Sequence, residues 1–347
     1  MELLVGTYAS SLSEHAETPE GICTVSFDPE TGSFGAARVL AKAHNASYIL
    51  MDPTAPVLFA VRETTKGDAP ALHSYSFGAD GSIAPLSSVP IAGELPCHLA
   101  FDADNMRLAS AQYLTGDVAL CRVIDGALRP PVGIPNLLPL GPKPQRQEAP
   151  HGHCVAFSDQ GTILHVVDLG TDSVTSHRLN ANDAVIDTAV THLPLGCGPR
   201  HIALNAAATR GFVMCELDET IIVLTRDGIG WNVESVHAGF PPPEDGLGAG
   251  AAIRLSADEK HLYLSGRRQN AIACFSVDGE VQRIAEFSTG GATPRDFIQT
   301  SDGKWIIVAH QDSGTLTSIR CDPEQGVFDL SDHRCEFHKP VSVLECP

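Results

Sequence analysis

The segment Phe157-Ser158-Asp159-Gln160-Gly161-Thr162-Ile163-Leu164 contains a pattern that recurs along the chain. An anchor residue, apolar in all repeats except that of Gln299, is followed by a polar turn. In five of six repeats an apolar residue stands seven positions after the anchor, and after Leu204 it stands eight positions later, at Phe212. The other anchors are Met51, Phe101, Leu204, Leu255, Gln299 and Leu344, which gives intervals of 50, 56, 47, 51, 44 and 45 residues. Intervals near 50 residues are typical of a fold built from repeated units.

Seven tight turns recur at the same spacing. They are Asp28-Pro29-Glu30-Thr31-Gly32, Asp80-Gly81, Asp125-Gly126, Asn182-Asp183, Asp227-Gly228, Asp278-Gly279 and Asp322-Pro323-Glu324-Gln325-Gly326. Asp-Gly between apolar runs predicts a β-hairpin, because glycine adopts the positive φ that primed turns require. A pair of strands ahead of each two-stranded hairpin, with no sustained helical period, predicts an all-β, seven-bladed β-propeller of four antiparallel strands per blade.

The two ends of the chain fit one blade. Leu3–Tyr8 has the pattern of a second strand, and Pro340–Glu345 has the pattern of a first strand. We therefore expect them to share the last blade and to cover the open edges that sheets otherwise expose. This closure predicts that residues 1–347 form a single propeller domain.

Composition excludes several classes of function. The 347 residues carry a net charge of −19 and no run of Lys or Arg, which argues against nucleic-acid binding. No apolar stretch is long enough for a membrane span, and the N-terminus lacks the basic start of a signal peptide. The ten cysteines show no CxxC spacing and fit buried thiols rather than disulfides. These features predict a cytoplasmic protein with no nucleic-acid or membrane partner. We further expect a monomer or weak homodimer.

Aligned blades bring two sets of positions to one mouth of a propeller channel. The residues four before each anchor are Ser47, Cys97, His153, Arg200, Ala251 and Arg295, and those twelve after it are Glu63, Tyr113, Leu169, Glu216, Arg267 and Gln311. So many charged and polar residues at one opening predict a functional site, although buried ion pairs of structural origin remain the alternative for each residue alone. Two long Pro- or Gly-rich connections, 129–150 and 237–250, enter strands from the same side and are expected to shape the pocket.

The residue types indicate chemistry on a small anion. Arginine guanidinium groups match carboxylate or phosphate, and His153 has the intrinsic pKa range of a general base. Glu216 is expected to orient the base, to exchange a proton or to pair with Arg200, and the choice of base between His153 and Glu216 stays open. His151, His98 and His201 stand next to these positions and join the binding candidates, with packing roles favoured for the last two. No spacing demands a metal, and no cofactor is expected.

Several motifs resemble those of the lactonase seven-bladed propeller family. They are Gly6-Thr7-Tyr8, Glu20-Gly21-Ile22, Pro150-His151-Gly152-His153, Gly198-Pro199-Arg200-His201, Cys215-Glu216, Gly266-Arg267 and Pro294-Arg295-Asp296-Phe297. The family includes propeller-type 6-phosphogluconolactonase and carboxy-cis,cis-muconate cyclase. The resemblance implies catalytic roles for His153, Arg200, Glu216 and Arg267. From their positions at the same mouth of the channel, Arg295, Glu63, Tyr113 and Gln311 are expected to line the pocket.

The first hypothesis is hydrolysis of a sugar-acid lactone, with 6-phosphogluconolactone as the leading substrate. A second hypothesis is reversible lactone formation from a carboxylated muconate by the same residues. A third is a non-enzymatic propeller that binds partners on its face, which predicts an exposed apolar patch that the low aromatic content of 6% does not favour.

Overall fold

Short antiparallel strands make up almost all of the regular secondary structure in the computed structural model, which describes residues 1–9, 18–244 and 246–346. A 3-10 turn, Lys66–Asp68, is the only helical element among them. None of the helical segments in these ranges has the length and apolarity needed to cross a membrane. The all-β prediction is therefore confirmed.

Thirty strands follow one another in the part of the chain that the structure describes. The first eight are β1 Glu2–Thr7, β2 Ile22–Asp28, β3 Ser33–Phe34, β4 Arg38–Ala41, β5 Ile49–Met51, β6 Val57–Arg62, β7 Ala71–Phe77 and β8 Ile83–Pro90. The next nine are β9 Pro96–Asp102, β10 Arg107–Gln112, β11 Val118–Ile124, β12 Ala127–Leu128, β13 Val132–Ile134, β14 Gly152–Ser158, β15 Ile163–Asp168, β16 Ser173–Leu179 and β17 Val185–His192. The remaining ones are β18 Pro199–Leu204, β19 Arg210–Cys215, β20 Thr220–Asp227, β21 Gly230–Ala238, β22 Gly250–Leu255, β23 His261–Gly266, β24 Ala271–Ser276, β25 Gln282–Ser288, β26 Pro294–Gln299, β27 Trp305–His310, β28 Thr315–Asp322, β29 Val327–Glu336 and β30 Pro340–Glu345.

These strands form seven sheets, each an antiparallel meander. Five sheets contain four strands, in the orders β5-β6-β7-β8, β14-β15-β16-β17, β18-β19-β20-β21, β22-β23-β24-β25 and β26-β27-β28-β29. All seven predicted turns connect the third and fourth strands of a sheet. The turn glycines have positive φ, for example +74° at Gly81 and +57° at Gly228. The sequence prediction of seven four-stranded blades is confirmed.

In the other two sheets the fourth strand is broken in two. β3 and β4 both pair with β2, and β12 and β13 both pair with β11. Pro130 and Pro131 separate β12 from β13, because proline has no N–H to donate to the ladder. The predicted loop 129–150 is thus wrong at its start, where Val132–Ile134 completes a sheet. The predicted loop 237–250 overlaps the ends of β21 and β22, and its residue 245 lies outside the described ranges.

The first and last strands share a sheet, as predicted. β30 pairs with β1, which pairs with β2. Leu3 lies opposite Glu345 and Val5 lies opposite Val343. β30 therefore takes the place of the first strand and β1 that of the second.

Packing groups the chain into two units, one of residues 1–49 and 249–347 and the other of residues 50–248. The prediction of a single domain stays a prediction. In the first unit, Phe27 packs edge-on to Trp305, with ring centroids 5.8 Å apart, in a core that includes Leu3 and Val5. In the second, apolar cores lie around Cys154 and around Ala109. All ten cysteines are described, none forms a disulfide, and eight are buried, in agreement with their predicted role as small apolar residues.

Burial decreases from the inner to the outer strands of a sheet. β15 is buried at all six positions, whereas β17 is exposed at six of its eight. Buried inner strands read as continuous apolar runs because both of their faces are covered by neighbouring sheets. Residues at the ends of these inner strands are held by rigid backbone on both sides, which makes those ends suitable positions for functional groups.

Candidate active site

β-Bulges determine how the predicted site residues are presented. The pairing of β14 with β15 shifts register between Gly152 and Cys154, so that His153 is the extra residue. The pairing of β18 with β19 shifts in the same way between Pro199 and His201, around Arg200. A bulged residue is left out of the ladder and its side chain is re-aimed. At His153 and Arg200, two of the positions four residues before an anchor, a polar side chain therefore coincides with an irregular backbone.

Three imidazole rings and one guanidinium group lie side by side in the second unit. The His201 ring is 5.3 Å from the ring of His153 and 5.1 Å from that of His98, both in edge-to-face geometry. Nη1 of Arg200 lies 3.1 Å from Nε2 of His201. Because arginine can only donate, the facing nitrogen of His201 accepts this hydrogen bond. His153, Arg200 and His201 are each at most 5% exposed.

Glu216 follows β19 directly and contacts two arginines. Its Oε2 lies 3.2 Å from Nε of Arg200, and its Oε1 accepts a hydrogen bond of 2.6 Å from Nη2 of Arg146. The backbone N–H of Glu216 donates to the carbonyl of Gly198, which ties this carboxylate to the chain that carries Arg200. Burial alone would lower the pKa of Arg146, but the Glu216 carboxylate and the Tyr113 hydroxyl raise it above its usual range, so this guanidinium stays charged.

Tyr113 completes the arrangement on the other side. Its hydroxyl accepts a hydrogen bond of 3.2 Å from Nη2 of Arg146, and its ring lies 5.5 Å from the His153 ring. The same ring stacks on His151 at 4.5 Å, and Nδ1 of His151 lies 2.7 Å from the Tyr113 carbonyl. Burial raises the pKa of Tyr113, which keeps the phenol protonated.

Six side chains thus form a closed series of contacts, which we call the site network. In order they are His153, His201, Arg200, Glu216, Arg146 and Tyr113. The network contains two imidazoles, a carboxylate, a phenol and two guanidinium groups. Such a set can accept a proton, stabilise an oxyanion and bind an anionic group.

Two further candidates, His98 and Glu63, belong to the second unit. His98 contacts His201, and its Nδ1 accepts a hydrogen bond of 3.4 Å from the N–H of Val155. Glu63 follows β6 and is half-buried. The roles of these residues stay predictions.

Three candidates belong to the first unit. Arg267 donates from Nε to the Ala249 carbonyl at 3.1 Å and from Nη2 to the Gly250 carbonyl at 3.2 Å. Arg295 lies 5.3 Å over the Tyr8 ring and 3.5 Å from Oε1 of Gln311. Their predicted roles in substrate binding or catalysis also stay predictions.

Two residues that form or support the network, Arg146 and Gln147, were not predicted from the sequence. Arg146 was not a candidate, although it lies in the Pro-rich connection that was predicted to shape the pocket. Gln147 beside it is 1% exposed and donates from Nε2 to Oδ1 of Asp172 and to the Leu169 carbonyl, both at 2.8 Å. The only signal for Arg146 was a cation inside that long connection.

One cluster outside the network has the composition of a metal site. Within the described ranges, Asp258, His261 and Glu324 of the first unit offer ligand atoms that all lie within 4.8 Å of one another. Two of the three are exposed carboxylates, which commonly occur without a metal, and none belongs to the site network. The expectation that the protein needs no metal or cofactor stays a prediction.

Comparison with known proteins matches residues 2–345 to the family described as lactonase, 7-bladed beta-propeller. The 6-phosphogluconolactonase of Bacillus subtilis is 28% identical over 346 residues, which cover 98% of this chain and 96% of the relative. An uncharacterized protein of Lactococcus lactis is also 28% identical, over 100% of this chain and 99% of its own length. The periplasmic gluconolactonase of Pseudomonas aeruginosa has a similar structure, with a TM-score of 0.89, 28% identity and coverage of 99% of this chain and 98% of its own. The chain therefore belongs to the lactonase seven-bladed β-propeller family.

Proposed function

We propose that this protein hydrolyses a sugar-acid lactone, with 6-phosphogluconolactone as the leading substrate. The site network carries the proposal, since it joins a buried histidine, a carboxylate and two arginines in one set of contacts. Membership of the lactonase family and the relatives named 6-phosphogluconolactonase and gluconolactonase support it. Cytoplasmic action is part of the proposal, and the gluconolactonase relative is named as periplasmic.

In the proposed reaction His153 acts as the general base. It takes a proton from a water molecule whose oxygen attacks the lactone carbonyl, and the carbonyl oxygen becomes an oxyanion. Arg200 stabilises that charge, and it is suited to this role because Glu216 and His201 hold it in place before the reaction begins. The ester bond then breaks, and the ring oxygen receives the proton from His153 and leaves as a hydroxyl group.

We assign Glu216 the positioning of the two arginines rather than the role of base. Both of its carboxylate oxygens face guanidinium nitrogens, at 2.6 and 3.2 Å. A carboxylate held in this way is a poor proton acceptor, because protonation would cost both ion pairs. Arg267 is kept in the proposal as a further anion-binding residue, on the family resemblance.

The test is an assay on freshly generated 6-phosphogluconolactone, gluconolactone and a carboxymuconolactone, with spontaneous hydrolysis subtracted. His153→Ala is expected to lower kcat by at least about 100-fold, since general-base catalysis contributes about that much. His192→Ala, at an exposed position of β17, is the matched control and should keep full activity.

The three substrates separate the alternatives. Turnover of the carboxymuconolactone alone would favour the cyclase hypothesis. If the wild-type protein turns over none of the three while circular dichroism shows a folded β protein, lactone hydrolysis of these substrates is wrong. Equal activity of His153→Ala and wild type would remove His153 from the mechanism.

A further inference from the structure

The second arginine of the site network differs from the first in its surroundings. The Arg200 side chain is 3% exposed, whereas that of Arg146 is 31% exposed. Arg146 makes both of its described side-chain contacts, to Tyr113 and to Glu216, through Nη2. Within residues 1–9, 18–244 and 246–346, its Nε and Nη1 have no hydrogen-bond partner. The Arg146 guanidinium is thus oriented by the protein but keeps N–H donors for a ligand.

The backbone around Arg146 is held firmly. The buried Gln147 side chain uses both of its polar atoms, since Nε2 bonds Asp172 and the Leu169 carbonyl and Oε1 accepts the N–H of Lys143 at 3.0 Å. Nζ of Lys143 donates to the Gly246 carbonyl at 2.7 Å. A guanidinium that is fixed before binding loses little conformational entropy when it binds an anion.

We propose that Arg146 forms an anion subsite of the active site, in which Nη1 or Nε donates a hydrogen bond to an anionic group of the substrate. The inference rests on the proposed lactonase function and narrows its substrate to a lactone with a phosphate or carboxylate away from the reacting ester. Both parallel pairs of guanidinium N–H bonds include Nη2, which already contacts Glu216 and Tyr113. Nε and Nη1 therefore each offer a single charge-assisted hydrogen bond to an oxygen of either group. Glu216 holds Arg146 from one side, and the Tyr113 hydroxyl holds it from another.

The carboxylate nearest to Arg146 along the chain, that of Glu148, faces His151. Glu148, two residues further on, places Oε1 3.3 Å from Nε2 of His151. The pKa of Glu148 is lowered mainly by a hydrogen bond between its own backbone N–H and its carboxylate. The charges of His151 and Arg146 lower this pKa less. This carboxylate is turned toward His151 rather than being bonded to Arg146, so it does not occupy the donors that the subsite requires.

The experiment compares Arg146→Gln, Arg146→Lys and the wild type on three lactones, which carry a phosphate, a carboxylate or no second anion. Arg146→Gln is expected to lower kcat/KM at least tenfold more for the anionic substrate that the wild type prefers than for neutral gluconolactone, mainly through KM. Arg146→Lys keeps the positive charge but not the planar group that Glu216 and Tyr113 orient, and its loss of kcat/KM should be intermediate. Arg129→Gln removes an exposed arginine from the preceding segment and is the matched control.

A binding measurement separates this inference from the proposed function. Inorganic phosphate should raise the thermal midpoint of the wild type and of Arg129→Gln, and raise it clearly less for Arg146→Gln. An equal loss of kcat/KM on all three lactones, or an unchanged response to phosphate, would show that Arg146 only braces Glu216 and would overturn the subsite. If the wild type has no lactonase activity but its phosphate response depends on Arg146, the proposed function fails and the anion site stands.

Discussion

Asp172 connects the two parts of the chain that build the site network. Its Oδ1 accepts the Gly198 N–H and the Gln147 side chain, both at 2.8 Å, and its Oδ2 accepts the Gly196 N–H at 2.6 Å. The residue is 1% exposed. One carboxylate thus positions the backbone that precedes Arg200 and the glutamine beside Arg146. A substitution at Asp172 is therefore expected to alter the positions of both arginines indirectly, through this backbone and this glutamine.

We predict that Asp172→Asn destabilises the protein by about 2 kcal/mol. An amide keeps only one acceptor oxygen, so at least one buried backbone N–H loses its partner, at a cost of about 1–3 kcal/mol. Urea unfolding measures the change, and Asp187→Asn on the exposed strand β17 is the control. Equal unfolding midpoints for the two variants would contradict this role of Asp172.

The site residues that lie at regular positions of the repeat could be predicted from the sequence. His153, Arg200 and Glu216 were found because their spacing from the anchors is the same in each blade. Arg146 and Gln147 were not found, since they lie in an irregular connection where no period relates a residue to the strands it contacts. Long-range hydrogen bonds, here to Asp172 and Glu216, determine their place.

Among the elements, the turns between strands differ in how closely they are packed. Gly161, between β14 and β15, has φ of +74°, and a Cβ there would overlap the carboxylate of Asp102. That carboxylate cannot move freely, because it accepts hydrogen bonds from the backbone of Asp104 and from the side chain of Asn105. Gly228, between β20 and β21, has φ of +57° and open space around it.

These two glycines provide a matched pair. Gly228→Ala should lower the free energy of unfolding by about 1–2 kcal/mol, because an alanine is strained in the left-handed backbone conformation but meets no neighbouring atom. Gly161→Ala should cost about 1–2 kcal/mol more, because the Asp102 carboxylate must give up hydrogen bonds as well. Urea unfolding of both variants tests the difference, and equal losses would show that Asp102 adapts without cost.

The turns were predicted from sequence, but the bulges were not. Asp-Gly and related turns are local signals, in which glycine or aspartate takes a positive φ. A bulge at His153 or Arg200 leaves the apolar pattern of the strand intact, so nothing in the period reveals the extra residue. The break at Pro130 and Pro131 had a local signal, and it was interpreted as the start of a loop rather than as a break in the fourth strand.

For the molecule as a whole, several buried histidines favour their neutral form. Burial lowers the pKa of His73 and His177, and it lowers that of His165 to about 3 and that of His310 to about 4. Arg334 adds to the effect at His310, and the Thr315 carbonyl opposes it. Between these values and the ordinary value of 6.5, the unfolded chain binds more protons than the folded one. Acid therefore destabilises the fold in this interval.

We predict that the unfolding free energy decreases as pH falls from 6.5 toward 4, and that His310→Asn reduces this dependence. Asparagine keeps a donor toward the Thr315 carbonyl, which lies 3.2 Å from Nδ1 of His310, but does not titrate. One such histidine contributes about 1.4 kcal/mol per pH unit, or about 2 kcal/mol between pH 6.5 and 5. Urea unfolding at pH 7 and pH 5 measures how the unfolding free energy depends on pH. An identical dependence in His310→Asn and in the wild type would refute the prediction.

The sheet that contains both β1 and β30 has a consequence for folding kinetics. Leu3 pairs with Glu345, which lies 342 positions further along the chain, whereas β20 and β21 pair across the short turn at Asp227-Gly228. Loop closure over such a distance is entropically costly before the contact forms, and a high contact order slows folding. Hairpins such as β20–β21 are expected to form early, and the β1–β30 pair sets the slow final step of folding in its unit.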